Sequence, residues 1–130
     1  MESVIVKKPW GSFIRFTNNE PSTVKLLYIN KGEEFSLQYH NHRTEFWKIL
    51  KGHPEIIIGD KTEHPKEGDE FIIEPQVKHR IGAPVDDVVV LEISMGQFDE
   101  EDLVRIEDKY NRVWIMYSIY DLAEVTQLVE

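Results

Sequence analysis

Residues 32–52 read GEEFSLQYHNHRTEFWKILKG, and the fold turns on how this stretch is read. Two turn glycines, Gly32 and Gly52, bound it, and between them stand the candidate metal ligands Gln38, His40, His42 and Glu45. Apolar residues alternate on either side of this group. That pattern predicts a strand, a short turn through Asn41 to Thr44, and a returning strand from Glu45 to Leu50. Side chains in a strand repeat every two residues, so Gln38 and His40 share a face. Glu45 has the opposite parity and joins them only because the chain turns in between. His42 falls in that turn, which assigns it to the substrate or to orienting the ligands and not to the metal. A further ligand must come from another strand, and the candidate is His79 in GDEFIIEPQVKH.

The same punctuation continues outward. Short apolar runs, Val4 to Val6, Ser12 to Phe16, Val24 to Ile29, Phe35 to Gln38, Glu55 to Ile58, Glu70 to Ile73, His79 to Ile81 and Val88 to Ile93, are rich in β-branched residues. Their length and content predict strands, not helices. Between them lie Gly, Pro, Asn and Asp clusters such as Asn18 to Ser22, Gly59 to Lys61 and Gly82 to Asp87. Strands repeated at roughly 8 to 12-residue spacing predict an all-β antiparallel sandwich or small barrel. Leu103 to Ile106 reads as one more short strand, and the acidic Asp99 to Asp102 as a solvated loop. After Arg112 comes the apolar run WIMYSIY, and Leu122, Val125, Leu128 and Val129 then fall at helical spacing. A single domain over residues 1–112 with a short helical extension over 113–130 is the simplest division. The apolar run calls for a cover, and a homodimer is expected to supply it.

Composition narrows the chemistry. A chain of 130 residues that is 41% hydrophobic buries a core without staples. With 15 basic and 24 acidic side chains the net charge is −9, which disfavours nucleic acid and anionic membranes as partners. An anionic substrate must then find a local positive patch, and Lys25, Arg43, Lys78 and Arg80 lie near the ligand candidates. There is no cysteine, so thiolate sites, disulfides and Cys nucleophiles are excluded. Two imidazoles, a carboxylate and an amide oxygen suit one borderline divalent ion with open positions, Zn²⁺ first, with Mn²⁺, Fe²⁺, Co²⁺ or Ni²⁺ as alternatives. The start of the chain has no basic and apolar leader pattern, and a cytoplasmic protein is expected.

The order and intervals of Gly32, Gln38, His40, Glu45 and Gly52 resemble the first motif of the cupin superfamily, in which a His-x-His pair stands between the glycine and the glutamate. Gln38 occupies the first histidine position, a replacement found in mannose-6-phosphate isomerases. SLQYHNHRTEFW, KPWGSF at Lys8 to Phe13, Val24-Lys25, KHR at Lys78 to Arg80 and IEDKYNR at Ile106 to Arg112 resemble, in order, the cupin part of the type II mannose-6-phosphate isomerases. In those enzymes a mannose-1-phosphate guanylyltransferase domain precedes the cupin. The second cupin motif departs from the pattern: Glu74, Pro75 and Gln76 stand where Pro-x-Gly is usual, and Ala83 replaces an asparagine, which alters the turn before His79.

The resemblance implies a double-stranded β-helix, the cupin or jelly-roll barrel, with metal held by Gln38, His40, Glu45 and His79. It implies isomerisation of mannose 6-phosphate to fructose 6-phosphate for polysaccharide synthesis. His42 and Arg43 are then candidates for the chemistry, and Lys25, Lys78 and Arg80 for holding the sugar phosphate. Another metal-dependent sugar-processing cupin enzyme, or a non-catalytic sugar-binding or regulatory cupin, are the competing readings.

Overall fold

A computed structural model describes residues 3–110. The strands are β1 (Val4–Lys8), β2 (Gly11–Arg15), β3 (Ser22–Ile29), β4 (Leu37–Tyr39), β5 (Glu45–Lys51), β6 (Glu55–Ile58), β7 (Lys61–Glu63), β8 (Glu70–Ile73), β9 (His79–Gly82), β10 (Val88–Met95) and β11 (Val104–Glu107). The expected helical extension, the boundary at 112 and 113 and the WIMYSIY run lie outside the described residues. Among the described residues no helix is long and apolar enough to cross a membrane.

Two antiparallel sheets form the body, one ordered β3-β10-β5-β8 and the other β11-β4-β9-β6-β7. Their inner faces share one core: Ile29, Trp47, Ile49, Ile73, Val88 and Val90 from the first, Ile56 and Ile81 from the second. Strand β10 shows the reason. Val88, Val90, Glu92 and Ser94 alternate inward, while Val89, Leu91 and Met95 are only half-buried on the other face. Ile93 is the exception, and it is covered because it pairs with Phe46, against which Phe16 packs at 5.2 Å. The β1–β2 ribbon forms its own two-stranded sheet and leaves Ile5 and Trp10 exposed.

The segment between Gln38 and Glu45 is not the hairpin that its spacing predicts. β4 belongs to one sheet and β5 to the other, so the Asn41 to Thr44 turn carries the chain across the sandwich. Both strands bury a face in the same core, and a crossover satisfies that from opposite sides. The consequence is functional, since ligands close in sequence reach the same point from two walls. A second correction is β7, a strand where the sequence reads as a turn into a loop. Its residues Lys61, Thr62 and Glu63 are all exposed and pair only with β6, so a charged edge strand leaves no apolar alternation to read.

Gly52 ends β5 with φ of +92°, and a Cβ there would lie 2.4 Å from the Asp87 carbonyl oxygen. Before β9, the turn survives its altered sequence. Val77 N–H donates to the Glu74 carbonyl at 3.3 Å, with Pro75 at the second position and Gln76 at φ 68° in the third. This is the pattern of a type II turn, whose third residue is ordinarily glycine. Gln76 N–H also donates to the His40 carbonyl at 2.6 Å, tying the two ligand-bearing turns together. The left-handed conformation is strained for a residue with a Cβ. Gln76→Gly is therefore expected to stabilise the protein by about 0.5–1 kcal/mol, after the added chain entropy of glycine. Urea unfolding, read as a higher midpoint at unchanged slope, checks it.

Candidate metal centre

His40 stands one residue past β4, Glu45 opens β5 and His79 opens β9. All are buried, with side-chain exposures of 4%, 1% and 1%. His40 Nε2 lies 3.1 Å from Glu45 Oε1, and His79 Nε2 lies 3.3 Å from the same oxygen. The far side of each ring explains its aim. His40 Nδ1 is 2.6 Å from the Asp102 carbonyl oxygen and His79 Nδ1 is 2.9 Å from that of Val77. A carbonyl only accepts, so both Nδ1 atoms carry the proton and both Nε2 atoms turn to Glu45. That is how ligand histidines are held in metal sites.

The donor set itself tests the fit. One donor atom from each residue falls within 4.8 Å of the others, and this is the sole such grouping of at least three His, Asp or Glu side chains among the described residues. Glu45 Oε1 and His79 Nε2 are buried without a hydrogen-bond partner. Burial by itself would raise the Glu45 carboxyl, but its contacts with His40 and His79 outweigh this and hold it well below the usual carboxylate range. An ionised carboxylate facing two ring nitrogens needs positive charge at their meeting point, and a divalent cation supplies it. The residues fit a metal ion.

Surrounding groups fix the carboxylate. Ser94 Oγ donates to Glu45 Oε2 at 3.1 Å, and Arg43 Nε is 3.5 Å from that oxygen. Arg43 is itself buried, with Nη2 at 3.3 Å from His40 Nε2 and Nη1 donating to the Asp99 carbonyl at 3.0 Å. Its guanidinium and the Lys25 ammonium each lie 4.3 Å from the Phe98 ring centre. Trp47 meets the His79 ring edge-on at 5.4 Å, and its indole N–H donates to Glu92 Oε2 at 3.0 Å. Burial pushes the Glu92 carboxyl up to about 7, aided by the Glu45 charge, while the Trp47 hydrogen bond, Lys25 and Arg43 pull it down.

Gln38 pairs directly with His79 across β4 and β9, so the two share a face. Its Oε1 accepts the Ser36 hydroxyl at 2.6 Å, which leaves a second lone pair on that oxygen. His42 is exposed in the turn and stands outside the cluster. The structure brings Arg43 to the cluster and Lys25 to its edge. It does not bring the other two cations there. Lys78 lies 3.6 Å from Asp60, and Arg80, one residue after His79, points to the opposite face, where it meets Glu34, Glu107 and the Phe35 carbonyl.

Asp102, like Ser94 and Glu92, is a residue that sequence reasoning missed. The loop that reads as solvated and acidic closes on the site: the Asp102 carboxylate accepts the Asn41 and His42 amides at 2.8 and 2.9 Å, and its carbonyl orients His40. Partial burial opposes ionisation, but those two amide donors hold its carboxyl below the usual range. No local pattern marks a contact between residues so far apart in the chain. Asp102→Asn removes one acceptor and faces an amide against N–H donors, so metal affinity is expected to fall roughly 10–100-fold. Competition with a chromogenic zinc chelator measures it.

Residues 2–108 match the family described as mannose-6-phosphate isomerase C-terminal. Mannose-1-phosphate guanylyltransferase 2 of Escherichia coli O157:H7 is 30% identical over 107 residues, covering 81% of this chain and 22% of that protein. The xanthan biosynthesis protein XanB of Xanthomonas campestris pv. campestris is 32% identical over 109 residues, 82% of this chain and 23% of that protein. The chain thus spans under a quarter of the length of these relatives. A solved Klebsiella pneumoniae protein with a double-stranded β-helix domain superposes with a TM-score of 0.59 at 21% identity, over 72% of this chain and 90% of that one. The sandwich is accordingly a double-stranded β-helix, and the chain belongs to the mannose-6-phosphate isomerase C-terminal family.

Proposed function

We propose that this chain is a metal-dependent aldose-ketose isomerase that interconverts mannose 6-phosphate and fructose 6-phosphate. The observation that carries the reading is the convergence of His40, Glu45 and His79 on one point inside a domain of this family. In this reading those residues hold one divalent ion, Zn²⁺ in the first instance, with the Gln38 amide oxygen as the fourth protein donor. A bound ion of this kind supplies Lewis acidity for a sugar carbonyl. Arg43 and Lys25 bring positive charge to an otherwise acidic chain, which suits a phosphorylated sugar. Phe98 lies against both cations, Arg43 buried beside it and Lys25 partly exposed and 3.6 Å from Glu100, which an anionic substrate would displace. In the ketose-to-aldose direction the reaction would supply mannose 6-phosphate for polysaccharide synthesis, xanthan biosynthesis being the process named for the XanB relative.

A coupled assay tests the proposal. Zinc-reconstituted protein given mannose 6-phosphate is expected to form fructose 6-phosphate with turnover on the order of 1–100 s⁻¹. Formation no faster than in the chelator-treated control contradicts it.

A further inference from the structure

Moving a proton between adjacent sugar carbons needs a base beside them, and the carboxylate of the cluster is committed. Glu45 Oε1 faces two imidazoles, while Oε2 takes the Ser94 hydroxyl and lies beside Arg43. His42 is exposed in its turn. Glu92 has no such commitment. It is 7% exposed in the middle of β10, on the inward face that it shares with Ser94. Ser94 pairs with Glu45, and Glu92 pairs with Trp47 on one side and Lys25 on the other. Glu92 therefore stands one inward step, about 7 Å along the strand, from the rung that holds the cluster. A carboxylate in a strand of Val, Leu, Ile and Ser is costly to bury, and the Trp47 indole is the one donor it takes among the hydrogen bonds described.

We propose that Glu92 is the acid–base group that carries the proton between C2 and C1 of the sugar, an inference that rests on the isomerase reading above. In the aldose-to-ketose direction the Glu92 carboxylate takes the C2 hydrogen as a proton. The C2–H electron pair becomes the C1=C2 bond and the carbonyl pair moves onto O1, giving an enediolate. The Glu92 carboxyl returns the proton to C1, C2–O2 becomes the ketone, and the O2 proton ends on O1. Atoms and charge balance with no further reactant. The groups that face Glu92 are Lys25 from β3, Trp47 and Glu45 from β5, and Arg43 from the turn before it. Burial raises this carboxyl and the Glu45 charge adds to it, while Trp47, Lys25 and Arg43 draw it down, and a group balanced in this way can both accept and release a proton.

Glu92→Gln keeps the shape and an oxygen for the Trp47 N–H, and is tested in the zinc-reconstituted full chain. The expected result is unchanged metal content, KM within about threefold of the parent, and kcat lower by roughly 10²–10⁴-fold. The acid limb of the kcat/KM profile should vanish, and exchange of solvent deuterium into the sugar should cease. Turnover and exchange within about threefold of the parent overturn the assignment and leave the isomerase reading standing. Activity lost together with the metal gives Glu92 a structural role and also overturns it. If the glutamine variant does not fold, Glu92→Asp is read by the same criteria, with metal retained and kcat reduced as the expected result. A parent protein without isomerase activity removes the isomerase reading, and this assignment with it.

Discussion

Glu45→Gln is expected to leave the protein without bound metal and, in the isomerase reading proposed above, to lower turnover by about 10³-fold, equivalent to about 4 kcal/mol of transition-state stabilisation. The change is nearly isosteric, but it removes the charge that His40, His79 and Arg43 all face. A neutral amide presents either a weaker oxygen or an N–H to the convergence point, and neither holds a divalent ion against water. Arg43, buried and deprived of its carboxylate, adds a cost of about 3 kcal/mol to folding, the scale of breaking a buried ion pair. Elemental analysis of the purified variant and the coupled assay read the two effects separately. Full metal content in the variant would show that the ion is held elsewhere.

Trp47→Ala should cost about 3–5 kcal/mol of stability, the range for truncating a large aromatic in a core. Trp47 is fully buried, packs edge-on against Phe35 at 6.1 Å and against His79 at 5.4 Å, and satisfies Glu92. For a domain of this size the loss lowers the melting temperature by roughly 10–20 °C. Trp47→Phe separates the ring from its N–H. It should cost about 1–3 kcal/mol, chiefly through an unpaired Glu92 oxygen. Calorimetry on both variants decides the matter, and a loss below about 1 kcal/mol for the alanine variant would contradict the packing described.

Much of this centre is legible in one short stretch of sequence, because strand parity is a local property. It places Gln38 and His40 together and brings Glu45 in through a turn. The same rule applied one step further separates Arg80 from His79, since neighbouring residues in a strand face opposite ways. Parity could have marked Glu92 as well, but reading Val88 to Ile93 as one apolar run passes over it, although its inward neighbours Val88, Val90 and Ser94 make a carboxylate there conspicuous. What parity does not contain is which sheet a strand joins. The crossover between β4 and β5 follows from two walls sharing one core, a global property, and the charged edge strand β7 from pairing to β6 alone. Asp102 lies furthest from view. Its role depends on a loop closing over a turn, and its acidic surroundings point locally to solvent.

The central claim is that His40, Glu45 and His79 hold one metal ion. Zinc-edge X-ray absorption on the reconstituted full chain tests it most directly. The account predicts one ion per chain with imidazole scattering from two histidines and only nitrogen or oxygen donors at about 2.0–2.2 Å. Failure to take up zinc, or a bound ion whose spectrum is unchanged in His79→Ala, would contradict it.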